Sequence, residues 1–103
     1  MKVAHQIAQK LHGGTEPRST RAQDLIDLQL LLAREEVVFA EVRNICERLF
    51  SNRGTHAWLP EVHASESMRL SYDMLKEGLD VLQSYDDAVE WLGDLIARID
   101  AAR

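Results

Sequence analysis

Four residues in the first third of the chain have the types and spacing for joint chemistry. Lys10 lies in QIAQKLHG, residues 6–13, and Arg21, Asp24 and Asp27 lie in RAQDLIDLQLLLA, residues 21–33. A lysine and an arginine can meet a phosphate, and carboxylates on successive helical turns can orient a cation or take a proton. The same pattern also has a purely structural reading. With about 100° per residue and Leu25 at zero, Asp24 falls at about 260° and Asp27 at about 200° around a helix axis. Leu31 lies between them, and Leu28, Leu32, Ile26 and Leu30 take up much of the remaining circumference. Ionised carboxylates on such a flank cost several kcal/mol unless they are paired. Asp24 can meet Arg21 three residues before it. Asp27 has no basic residue three or four positions away, so its partner comes from another element, and Lys10 is the candidate. On the residues alone, a salt-bridge cluster of Lys10, Arg21, Asp24 and Asp27 is favoured over a site.

The elements that position these groups read as helices. Val3, Ala4, Ile7, Ala8 and Leu11 have helical spacing, and Gly13-Gly14 is expected to stop that helix. Thr20 is the expected N-cap of the next helix, with Gln23 completing a capping-box pattern, and the helix runs to about Ala33. Arg34-Glu35-Glu36 makes the following turn. A third helix carries Val38, Val42, Ile45, Cys46, Leu49 and Phe50 on its apolar face and ends at Gly54. THAWLPEVHA, residues 55–64, reads as a loop in which Trp58 plugs the core and His56 caps a helix end. A fourth helix has Met68, Tyr72, Leu75 and Leu79 on one face, weakened at its end by Gly78. Ser84 caps the fifth, whose stripe of Ala88, Trp91, Leu92, Leu95, Ile96 and Ile99 is the cleanest in the chain. No segment alternates with period two, so the expected fold is all-α, a single domain of about five helices in a bundle over residues 1–103.

The bulk numbers narrow the function classes. One hundred and three residues suffice for one core but are few for an enzyme with its own substrate cleft. Net charge is −5, which argues against general nucleic-acid binding through a basic surface. That charge is uneven, +3 over residues 1–21 and −8 over the rest. Cys46 is the single cysteine, so it reads as a small core residue. With no leader pattern and no apolar run near the roughly 20 residues of a membrane span, a cytoplasmic chain without membrane contact is expected.

QIAQKLHG, RAQDLIDLQLLL (21–32) and RGTHAWLP (53–60) together resemble the C-terminal part of the AbiEii/AbiGii nucleotidyltransferase toxins of bacterial abortive-infection and toxin–antitoxin systems. In that family a lysine in a K-L motif and an R-x-x-D-x-x-D motif follow an N-terminal nucleotidyltransferase core. Lys10-Leu11 matches the first, and Arg21, Asp24 and Asp27 match the second. The resemblance implies that Lys10 and Asp24 are catalytic, facing the nucleotide, and that Arg21 and Asp27 support them. It covers residues 5–60 well and the remainder only in helix pattern.

The departures shape the expectation. The family's core supplies a Gly-Ser motif and a D-x-D pair that hold the divalent metal; this sequence has neither, and Gln9 and Gln23 replace charged residues common in the family. The expected role is therefore the C-terminal helical domain of an AbiEii-like nucleotidyltransferase, inactive alone, with no metal site or cofactor of its own. NTP and Mg²⁺ are implied only together with the core. Alternatives are a stand-alone helical binding or regulatory module for a protein or RNA partner, and one chain of a split transferase. The partners implied are an antitoxin or the missing core, with RNA as acceptor; an apolar face that once packed on the core would favour self-association.

Other chemistry is weaker. His5/His12 and His56/His63 are each seven apart, two turns rather than the i, i+4 of a helical zinc pair. No Ser/His/Asp or Cys/His spacing supports nucleophilic catalysis. Arg18 and Arg21 could receive a phosphate at the start of the second helix, although a solvated loop suits Arg18 better.

Overall fold

The computed structural model describes residues 3–15, 22–54, 58 and 60–102. They form α1 (Val3–Thr15), α2 (Ala22–Arg34), α3 (Phe39–Arg53), α4 (Glu66–Leu75) and α5 (Tyr85–Ala101), with no strand among the described residues. The fold is all-α, as the periodicity predicts. α1 packs on α2 and α3, α2 on α4, α3 on α5, and α4 on α5, so the helices close a ring around one core. None of these helices is long and apolar enough to cross a membrane.

Most expected apolar faces turn inward. Ile7, Ala8 and Leu11 of α1, Leu25, Ile26 and Leu28 of α2, and Val42, Cys46 and Phe50 of α3 are buried. On α5, Ala88, Leu92, Leu95, Ile96 and Ile99 are buried while Trp91 is half-buried. Ser65 caps α4 by accepting from the Met68 amide at 3.1 Å, and Ser84 caps α5 by accepting from that of Asp87 at 3.4 Å. Gly54 ends α3 in the left-handed region (φ 65°), which spares the strain a side chain would meet, and its N–H donates to the Phe50 carbonyl. Trp58 sits edge-on to Phe50 at 5.5 Å, and its indole N–H donates to Asp100 at 3.3 Å. Arg43 approaches the same Asp100 oxygen at 3.6 Å, which ties the first turns of α3 to the end of α5.

Three local expectations are corrected. Gly13-Gly14 does not stop α1: both glycines are buried inside a helix that runs to Thr15, whose hydroxyl donates back to the Leu11 carbonyl at 2.6 Å. A glycine pair ends a helix only where the chain takes the left-handed conformation, and neither residue does. Val38 leaves the apolar stripe of α3; it precedes the first turn as N-cap and is 64% exposed. Leu75 and Leu79 fall off the core face because α4 ends at Leu75 and the chain turns at Gly78 (φ 74°). The expected caps Thr20 and His56 lie outside the described residues.

Candidate functional site

The K-L and R-x-x-D-x-x-D motifs meet where α1 crosses α2. The Lys10 ammonium donates to Asp27 Oδ2 at 2.9 Å, with the two side chains 28% and 29% exposed. Asp27 therefore takes its cation from the neighbouring helix, as its lack of a local base requires. Its other oxygen is also held: Gln23 Nε2 donates to Oδ1 at 2.8 Å. Gln23 thus reaches forward one turn to the acid. Both carboxylate oxygens are engaged, and the pair stays partly open to solvent.

Asp24 has a different setting. One turn before Asp27, it is only 3% exposed and packs on the end of α1. A Cβ built on Gly14 would stand 3.5 Å from the Asp24 Cβ, so the last turn of α1 and the first of α2 are in direct contact. His12 is buried beside this crossing, its ring edge-on to Phe50 at 4.9 Å. The structure thus brings Lys10 and Asp27 together and places Asp24 behind them, under cover. Arg21 and Arg18 lie outside the described residues, as does His56, whereas His5 and His63 are exposed.

Among the described residues no three His, Cys, Asp or Glu side chains gather where one metal ion could be held. The donors at the crossing are two acids on successive turns, Asp24 buried and Asp27 held by Lys10 and Gln23. As arranged, with one acid covered and the other paired to an ammonium, they do not fit a divalent cation, so no step is assigned to Mg²⁺ here. Cys46 is fully buried, and burial, with Glu47 nearby, pushes its thiol up to about 12, so it is no nucleophile at neutral pH.

Sequence reasoning missed the polar centre on the opposite face of α2. Gln29, 9% exposed, donates to the Tyr72 hydroxyl at 3.0 Å and accepts from the Leu82 amide at 2.8 Å. The Tyr72 hydroxyl donates in turn to the Leu82 carbonyl. Burial raises the Tyr72 phenol above its ordinary range, so it stays protonated and available as that donor. The available signal was positional: on the same wheel Gln29 falls at about 40°, between Leu25 and Ile26, where a side chain must be buried.

No protein-family model matches this chain, and no curated protein is significantly similar to it.

Proposed function

We propose that this chain is the C-terminal helical part of an AbiEii-like nucleotidyltransferase, with the α1–α2 crossing as one wall of a nucleotide site. The observation that supports it is the Lys10–Asp27 contact, which joins the two motifs across helices at 2.9 Å. A half-exposed ion pair of this kind is worth about 0–1 kcal/mol. It is weak enough to open, and a phosphate oxygen is a stronger partner for the ammonium than water. Lys10 then transfers from Asp27 to the phosphates of an NTP, with Arg21 as the second cation the motif supplies. Asp27 and Gln23 hold the lysine extended before binding. Asp24, being covered, acts from behind by fixing the crossing. The metal-binding carboxylates of such an enzyme belong to its nucleotidyltransferase core.

Amide chemical-shift titration of the chain with each NTP tests this role. Saturable shifts centred on residues 10, 24 and 27, lost in Lys10→Ala, are expected. No shift at millimolar NTP, or shifts unaffected by Lys10→Ala, overturns it. With Mg²⁺ and labelled NTPs the chain alone is expected to label neither itself nor RNA above the Lys10→Ala control.

A stand-alone module for a protein partner is the second reading. Leu70 and Met74, one turn apart on the outer face of α4, are 60% and 78% exposed, and paired large apolar side chains in water suit a covering partner. A tight, stoichiometric dimer in light scattering would favour this module, with a second copy as its partner.

A further inference from the structure

A cleft of about 540 Å³ opens between α2, the start of α3, residues 80–82 and α5. That volume suits a small organic ligand. Phe39 and Trp91, both half-buried, stand in its walls, with Leu32 and Leu95 between them. Trp91, Leu95 and Arg98 follow one another at i, i+4 and i+7 on α5, so the three positions share one face of the helix over about two turns. Arg98 is exposed and makes no ion pair among the described residues, and the same holds for Asp80 on the facing lip.

The lip is fixed before any ligand arrives. Leu82 is held at its amide by Gln29 and at its carbonyl by Tyr72, which anchors that end of the lip to α2 and α4. A slot of mixed polar and apolar lining, with two aromatic side chains in its walls, one uncommitted guanidinium and Leu82 anchored on its rim, has the elements that hold an aromatic anion.

We propose that this cleft binds a small planar aromatic molecule carrying a single anionic group. The ring system packs against Phe39 and Trp91. The anion meets Arg98, whose planar fork pairs with a carboxylate, sulfonate or phosphate through two parallel hydrogen bonds. Asp80 repels a second negative charge at the other lip, so polyphosphates are poor occupants. The cleft lies at the far face of α2 from the Lys10–Asp27 crossing and does not depend on a nucleotide site there.

Fluorescence titration with anilinonaphthalene sulfonate and with its neutral relative N-phenylnaphthylamine tests the proposal on the intact chain. The sulfonate is expected to saturate at one site and to bind about tenfold tighter than the neutral dye, a difference one charge-assisted contact can supply. Arg98→Gln is expected to erase that preference, and Phe39→Ala to weaken both dyes; thermal melts establish that each variant remains folded. Adenosine monophosphate is expected to displace the sulfonate better than ATP does. Amide shifts should centre on residues 80–82 and 91–98. Equal affinity for the two dyes, no effect of Arg98→Gln, stronger displacement by ATP, or a footprint on Leu70 and Met74 instead would each overturn it.

Discussion

Asp27 and Gln29 are two residues apart on α2 and about 160° apart around its axis. Asp27 is half-exposed and held by a charge, the Lys10 ammonium, together with the Gln23 amide. Gln29 is buried and held by neutral groups, the Tyr72 hydroxyl and the Leu82 amide. The first contact is conspicuous in the sequence because charges in a leucine-rich helix attract notice. Water screens it, however, and little stability rests on it. The second is silent in the sequence, yet Gln29 and Tyr72 are buried, so a lost partner there is not readily replaced by water. Conspicuousness and energetic weight are therefore inverted along one helix. That suits a division in which the charged face is free to exchange partners while the neutral face holds the fold.

The contrast can be broken most directly at Gln29. Gln29→Ala removes the acceptor of the Leu82 amide and one of the two partners of the Tyr72 hydroxyl, which keeps its bond to the Leu82 carbonyl, and is expected to lower stability by about 1–3 kcal/mol in urea unfolding; a loss below about 1 kcal/mol would remove the asymmetry. Alkaline titration sharpens it next. The Cys46 thiol is raised from 9.0 to about 12 in the folded chain. Above pH 9.0 the unfolded chain gives up that proton while the folded chain keeps it. Stability is thus complete below that pH and falls as pH rises towards about 12, by at most about 1.4 kcal/mol per unit. Cys46→Val should flatten this limb, and whatever alkaline loss remains belongs to the polar contacts.

Smaller effects are expected at the crossing. Lys10→Met and Asp27→Asn should each lower stability by less than about 1 kcal/mol, and by less still in high salt. A loss matching that of Gln29→Ala would make the ion pair structural and undercut its proposed exchange with phosphate. Gly14→Ala should raise the melting temperature slightly, worth about 0.5–1 kcal/mol, since the new Cβ meets Asp24 at ordinary contact distance within a helix. Destabilisation there would show that the crossing tolerates no further bulk.

Much of the fold was legible because amphipathic stripes repeat over several turns, as in Ala88 to Ile99. Its boundaries were less so. Gly13-Gly14 punctuates a chain only if the backbone turns there, and burial against α2 carries the helix through to Thr15. Leu75 and Leu79 continue a sequence stripe after the helix beneath them has ended at a left-handed glycine. At the candidate site, charge bookkeeping led from Asp27 to Lys10, since one acid without a local base narrows the choice. It could not foresee that Gln23 would take the other oxygen, because an amide carries no charge to balance. Nor could it separate Asp24 from Asp27, which are about 60° apart on the wheel yet differ in cover because the end of α1 lies over only one of them.

The ring of helices has a consequence for how the molecule can breathe. Closed circuits differ from stacks in that one seam can part without dividing the assembly. The α4–α5 seam is the slimmest, joined by Arg69 to Asp86 at 2.8 Å and by Tyr72 beside Tyr85 at 5.9 Å. If it parts, α4 still hangs from α2, and α5 from α3. Such an opening exposes α4 to local unfolding without global unfolding, so amide protons along α4 should exchange with solvent well before those of α1, in a step that leaves the Lys10 crossing shut.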